Sequence, residues 1–501
     1  MPAPREQATL GGGAAAPAAV RTLQNFIGGR WVDAAATEFG EVRNPARDTL
    51  LARVPLGGAE DVDRAVQAAA RAFPAWRATP PVQRVRPLFA LRELFEKRFD
   101  DIARTVTLEH GKTLDESRSS VRRAVDNIEV ACATPSLMQA LSLEDVAAGI
   151  DCHTVRQPLG VFAAITPFNF PAMVPMWFLP HAVACGNTFI VKPSERVPLS
   201  QQIIFELLHE AGLPDGVVNL VHGAKDAVNA ILDHPGIAGV SFVGSSPVAR
   251  HVYARGAAAG KRVQALGGAK NFVLVMPDAD LQRAAQVSTE SCFGCAGERC
   301  LANSVVLGVG DAYPEIARRL VEEAKRIRVG DGLEPGVTMG PVISRAHREK
   351  VLGYIERGIA EGATLALDGR GYRDPAHPEG YFLGPTVFTD VTPDMVIARE
   401  EIFGPVLCVM RAGTFDEAVE IVKRHELGNA SSIFTSSGRW AREYRWRVEP
   451  SMLGVNIGVA APMAFFPFGG AKGSFYGDLK AHGRDAIEFF TDKKVTITRW
   501  F

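Results

Sequence analysis

Between residues 159 and 275 the chain repeats one arrangement, a short apolar run followed by a helical stretch, and this constrains the fold more than any other feature. The apolar runs are 159–165, 188–191, 217–221, 239–243 and 271–275. Strands that alternate with helices are returned by each helix to lie in the same direction, which predicts a parallel sheet with helices on both faces. A second alternation from 304 to 455, with strands expected near 304–309, 386–389, 406–410 and 431–434, predicts a second α/β unit. Ahead of both, helical apolar periodicity covers 60–77, 81–111 and about 113–141, and glycine in His110-Gly111 can close the last turn of the second of these. A chain of 501 residues exceeds one ordinary core, so two or three domains are expected. No internal repeat interrupts the two units, which excludes a solenoid.

A net charge of -1 creates no field for nucleic acid or an anionic membrane, and no apolar stretch reaches the length of a membrane span. Seven cysteines without a framework spacing fit a reducing compartment, so a cytoplasmic protein is expected. Residues 1–20, with Gly11-Gly-Gly-Ala-Ala-Ala16, lack the apolar core of a secretory signal and read as a flexible tail.

The chemistry concentrates in Cys292-Phe-Gly-Cys295-Ala-Gly-Glu298-Arg299-Cys300, a thiol on a loop ahead of a β-branched run. A thiolate attacks carbonyl carbon near neutral pH, and the adjacent Arg299 cation is expected to lower the Cys300 pKa. An isolated cysteine is otherwise a small buried hydrophobe. Cys292 and Cys295 also form a Cys-x-x-Cys pair, but no second Cys or His cluster follows to complete a tetrahedral site, so both read as core residues and no metal is expected. In the first unit, Gly239-Val-Ser-Phe-Val-Gly244-Ser245-Ser246-Pro247 reads as strand, turn and helix N-terminus, a phosphate-binding arrangement that lacks the Gly-x-Gly-x-x-Gly fingerprint. Phe189-Ile-Val-Lys192-Pro-Ser-Glu195 puts a cation and a carboxylate just past a strand's carboxyl end, where open α/β sheets bind ligands.

These segments, with Thr166-Pro-Phe168-Asn169-Phe-Pro171, Leu266-Gly-Gly268, Glu400-Glu401-Ile-Phe403-Gly-Pro405 and Pro467-Phe-Gly-Gly470, occur in an order that resembles the NAD-dependent aldehyde dehydrogenase superfamily from about residue 22 to the C-terminus. The resemblance implies a Rossmann-type NAD-binding domain over 21–145 and 166–275, an α/β catalytic domain over 276–480, and a small β oligomerisation element from 146–165 and 481–501 that makes a homodimer or homotetramer. It implies that Cys300 is the nucleophile and that the Asn169 amide and the Cys300 N–H form the oxyanion hole. Phe168, Lys192, Glu195, Gly244, Ser245, Glu401 and Phe403 would hold the cofactor, with Glu195 favouring NAD over NADP.

One departure from the family is informative. Hydrolytic members carry Glu-Leu-Gly-Gly where this chain has Ala265-Leu-Gly-Gly268, so the base that would activate water against the thioester is missing. The chain thereby resembles the coenzyme A-acylating methylmalonate-semialdehyde dehydrogenase branch, which implies coenzyme A as co-substrate and a semialdehyde carboxylate bound by Arg123 and Arg299. Oxidative decarboxylation of methylmalonate semialdehyde to propanoyl-CoA, and of malonate semialdehyde to acetyl-CoA, is the implied reaction. The alternatives are a hydrolytic enzyme with Glu298 as base, and a non-catalytic NAD-binding protein on the same fold. The terminal Lys494-Val-Thr-Ile-Thr-Arg-Trp500 alternates like a strand and needs a sheet to join, in its own chain or a neighbour's.

Overall fold

The computed structural model describes residues 20–501, so residues 1–19 of the expected tail lie outside it. The expected α/β class is observed as two sheets. The core of the first consists of five parallel strands in the spatial order Val218–Leu220, Thr188–Lys192, Val161–Ile165, Ile237–Val243 and Arg262–Leu266. Antiparallel edges close it, with Asn25–Ile27 and Arg30–Val32 on one side and the two-residue strand Phe475–Tyr476 on the other. Every residue of Val161–Ile165 and Thr188–Lys192 is buried, as a sheet covered on both faces requires.

The second sheet runs Thr364–Leu367, Thr386–Thr389, Val406–Ala412, Asn303–Val309, Asn271–Val275, Ala430–Phe434 and Met452–Val455, parallel except at its first pair. Asn271–Val275 therefore departs from expectation. It pairs with Asn303–Val309 and Ala430–Phe434 instead of joining the first unit. An apolar run signals a strand but not its sheet, and the chain changes sheets over Gly267-Gly268. A Cβ on Gly268 would stand 2.3 Å from a Glu401 carboxylate oxygen, so the crossing needs a residue without a side chain.

The helical region is more broken than its periodicity predicts. Residues 81–111 form Pro81–Arg84, Arg86–Lys97 and Phe99–His110, the first two opened by prolines near their first positions. Gly111 does close the last of them, at φ 95°, its N–H donating to the Thr107 carbonyl at 2.8 Å. Leu114–Cys132 stops ahead of a proline-opened turn, Thr134–Leu137, and the chain then turns into strands.

Those strands correct the expected boundaries of the β element. Thr491–Arg499 pairs antiparallel with Ile150–Pro158 over nine residue pairs, and Ser142–Ala147 lies on the other side of Ile150–Pro158. The element thus begins earlier than 146, and Val161–Ile165 belongs to the first sheet. The terminal strand joins its own chain and leaves one edge open.

Candidate active site

Cys300 lies between a tight turn, Gly294–Gly297, and the strand Asn303–Val309 of the second sheet. Its carbonyl accepts from two asparagine amides, Asn271 Nδ2 at 2.9 Å and Asn429 Nδ2 at 2.8 Å, so two neighbouring segments fix the turn that carries the thiol. Asn169 comes from the first sheet, in the loop between Val161–Ile165 and the buried helix Met173–Cys185. Its side-chain Nδ2 donates to the Glu298 carbonyl at 3.0 Å, leaving one amide N–H free, and its own carbonyl accepts from the buried Lys112 ammonium. The Asn169 amide thus reaches, from the other sheet, the turn that carries the thiol, although Asn169 itself does not line the cavity at Cys300.

A cavity of about 290 Å³ opens on Cys300. Helix Leu114–Cys132 lines it with Glu116, Ser119, Ser120, Arg123 and Asn127. These positions follow helical spacing, so they form one polar stripe. Phe170, Met173, Trp177 and Phe468 supply an apolar wall. Both arginines singled out by sequence line this cavity. The Arg123 guanidinium donates to the Pro462 carbonyl at 3.1 Å, and Arg299 donates to Glu116 at 2.8 Å and to Cys295 Sγ at 3.2 Å.

Arg299 pulls the Cys300 pKa down as expected, but only as a minor contribution. Burial and then the Glu401 charge push the Cys300 thiol up to about 12, outweighing the opposite pull of backbone N–H groups and Arg299. Cys292 and Cys295 are both buried, Cys292 Sγ facing the Val406 carbonyl at 3.7 Å and Cys295 facing Arg299.

Glu298 is placed away from the thiol. One of its carboxyl oxygens accepts from the Ile343 N–H at 3.1 Å, and the other lies 3.7 Å from His110 Nε2 without a partner. The group is fully buried, and burial raises its pKa well above the carboxylate range. It does not line the cavity. Glu116, the one acidic residue that does, also caps its own helix. Its Oε2 accepts from the Thr113 N–H at 3.0 Å, while Oε1 takes the Arg299 pair and the Cys295 N–H at 2.7 Å.

A second cleft, about 840 Å³, is lined by Ser245, Ser246, Lys350, Glu401 and Glu426 among others. Gly244 donates its N–H to the Leu266 carbonyl at 3.0 Å, and Ser245 begins helix Ser246–Ala258 with no side chain capping its first turn, in which Pro247 carries no N–H. Glu401 accepts from the Ala269 N–H at 2.8 Å, and burial raises its pKa to about 7. Lys192 ends its strand buried, its ammonium donating to the Gly223 carbonyl at 2.6 Å and lying 3.8 Å from Glu195. Phe168 and Phe403 meet edge to face at 5.7 Å. Lys192, Glu195, Phe168 and Phe403 do not line this cleft, so the cofactor set is divided between the cleft and the adjoining carboxyl end of the first sheet.

Sequence reasoning did not single out Glu116, Ser119, Ser120, Trp177, Phe468 or His482. The stripe on Leu114–Cys132 follows helical spacing, but the helix also carries an exposed polar face at Asp115, Arg122 and Glu129, so polarity alone did not mark it. The others come from distant segments and carried no signal.

The model of the aldehyde dehydrogenase family matches residues 31–496. Malonate-semialdehyde dehydrogenase 1 of Geobacillus thermodenitrificans strain NG80-2 is 50% identical over 482 residues, 96% of this chain and 99% of that protein. The crystal structure of a methylmalonate-semialdehyde dehydrogenase from Oceanimonas doudoroffii superimposes with a TM-score of 0.95 at 44% identity, covering 96% of this chain and 99% of that one. A Sinorhizobium meliloti 1021 structure complexed with NAD matches with a TM-score of 0.95 at 42% identity, covering 96% and 98% of the two chains. With a family model spanning nearly all of its described residues and half its sequence shared with a full-length relative, this chain belongs to the aldehyde dehydrogenase family.

Proposed function

We propose that the protein is an NAD-dependent, coenzyme A-acylating dehydrogenase of malonate and methylmalonate semialdehydes, which yields acetyl-CoA and propanoyl-CoA with loss of carbon dioxide. The observation that carries this reading is the polarity of the cavity at Cys300, which offers the Arg123 guanidinium, an Arg299 guanidinium paired with Glu116, and no free carboxylate. Ala265 stands where hydrolytic relatives have their base, Glu116 is tied to Arg299, and Glu298 is directed elsewhere. Water therefore lacks an activating group, whereas a carboxylate-bearing aldehyde finds the Arg123 cation and, beside the thiol, an Arg299 guanidinium already paired with Glu116. The names of the relatives agree with this substrate class.

The residues fit the steps. Cys300 Sγ attacks the aldehyde carbon after losing its proton, and the carbonyl oxygen becomes an oxyanion that accepts from the free Asn169 N–H and the Cys300 backbone N–H. NAD supplies the two-electron acceptor for the hydride of that adduct, and the uncapped turn at Ser245, with Glu401, Lys192 and Glu195, fits a dinucleotide. The product is a thioester on Cys300 with a β-carboxylate. Breaking the bond to that carboxylate releases carbon dioxide, and its electron pair enters the thioester carbonyl as an enolate held by the same two donors. The enolate carbon takes a proton from water. The coenzyme A thiolate then attacks the carbonyl and Cys300 leaves.

Arg123 and Arg299 would hold the carboxylate by paired N–H donors. The odd set of free cysteines supports a cytoplasmic setting, and the open edge of Thr491–Arg499, with Val495 and Ile497 exposed, supports a homodimer or homotetramer built on that sheet. Product analysis with malonate semialdehyde and NAD tests the reaction. Without coenzyme A, one NADH per site should form and turnover should then stall. Free acid formed at an equal rate without coenzyme A would replace this reading with the hydrolytic one.

A further inference from the structure

One wall of the cavity contains a side chain that the steps above leave unused. His482 lines the cavity, is 3% exposed, and has no hydrogen-bond partner on either ring nitrogen among the described residues. Its ring stands edge to face with Trp177 at 5.1 Å and tilted against Phe468 at 5.4 Å. A ring required only to fill this space would be satisfied by phenylalanine, because burying two polar atoms among aromatics is unfavourable. Its backbone is also unusual, with φ 73° and ψ 168°, a region occupied almost solely by glycine. The strain is held by hydrogen bonds on either side. Ala481 and Phe468 exchange N–H donors at 3.0 and 2.7 Å, and the His482 carbonyl accepts from Ala486 at 3.1 Å. Strain maintained in this way at the wall of a reactive cavity indicates a position chosen for its side chain.

One cation, Arg123, and a second buried histidine lie near the ring. Arg123 lines the same cavity from helix Leu114–Cys132, and His181 approaches from helix Met173–Cys185. Burial first, then His181 and Arg123, keep the His482 imidazole neutral, so the ring has one N–H to give. Arg123 and His482 line the same cavity, so an anionic guest there would have both side chains on its wall.

We propose that His482 is a specificity-determining residue that donates its ring N–H to the carboxylate of the semialdehyde substrate, together with Arg123. The proposal rests on the semialdehyde reading above. It makes carboxylate recognition a property of three segments, because His482 comes from the C-terminal region, remote in sequence from both arginines.

The test compares kcat/KM for malonate semialdehyde and for propanal, which has no carboxylate, in the wild type, His482→Phe and His482→Gln. The Phe variant should lose roughly ten- to a hundredfold on the semialdehyde, mainly through KM, with propanal little changed. Glutamine, which keeps an N–H donor, should recover part of the loss. Equal losses on both aldehydes, or no recovery by glutamine, would overturn the proposal in favour of a filling role. A wild type without preference for the semialdehyde would instead sink the substrate reading itself. If the Phe variant does not fold, His482→Leu serves with malonate as a competitive inhibitor of propanal oxidation. A weakened inhibition constant supports the proposal, and an unchanged one refutes it.

Discussion

The Cys300 thiol is held up to about 12 by burial and by the Glu401 carboxylate, while Arg299 directs its donors to Glu116 and Cys295. Removing the Glu401 charge should therefore lower the Cys300 pKa, and Glu401→Gln should speed iodoacetamide alkylation of the ligand-free enzyme at pH 8. An unchanged rate would show that burial alone sets the thiol. Cys300→Ala should abolish NADH formation while Cys292→Ala and Cys295→Ala retain most of it. Asn169→Ala should slow turnover by roughly 100- to 1,000-fold through loss of one oxyanion donor, measured as single-turnover NADH release. The thiol was legible only through the ordered set of family segments, since a cysteine taken alone reads as a small buried hydrophobe. The directions of its neighbours were not. On a turn this tight Glu298 goes toward Ile343 and His110, Arg299 toward Glu116, and no spacing rule states which.

Among the elements, helix Leu114–Cys132 contributes most to the cavity, and its first turn is built around one carboxylate. Thr113 Oγ1 accepts from the Glu116 N–H at 3.3 Å and Glu116 returns to the Thr113 N–H, a reciprocal cap. Thr113→Ala should cost about 1 kcal/mol of stability in denaturant unfolding. Glu116→Gln should preserve most of that cap yet free Arg299, so it should alter kcat/KM for the semialdehyde far more than the unfolding midpoint. A shift confined to the midpoint would show that the carboxylate serves only the helix. Helices and parallel strands of this kind were legible as periods in the sequence. Short strands such as Asn25–Ile27 and Arg30–Val32 were not, since three residues are too few to show a period, and the sheet that receives Asn271–Val275 depends on a crossing at two glycines.

Across the whole molecule, the site is assembled where two sheets meet. Asn169 and Arg123 arrive with the first sheet and its helices, Cys300 and Arg299 with the second, and the Asn169–Glu298 and Glu116–Arg299 contacts join them. The C-terminal strand adds a third structural commitment, anchored by Glu488, whose carboxyl is held down to about 2 chiefly by its hydrogen bond to Arg156, with Lys493 assisting. Because the folded pKa lies below the ordinary value of 4.5, this anchor is at full strength above about pH 4.5 and fades as pH falls toward 2. Glu488→Gln should accordingly flatten the acid limb of the stability profile between those values. Removing residues 491–501 should shift sedimentation toward a smaller species, whereas an unchanged sedimentation coefficient would place the subunit contact elsewhere. The resemblance made the oligomer an expectation, but that the strand would first pair with Ile150–Pro158 of its own chain was not written in its alternation. Chemistry divided between two halves also makes the enzyme a sensor of its own integrity. When heat loosens either half, the thiol and the amide proposed to act on one oxygen atom part company. Catalysis should therefore vanish at the first step of a stepwise melt, while circular dichroism still reports most of the helices and strands in place.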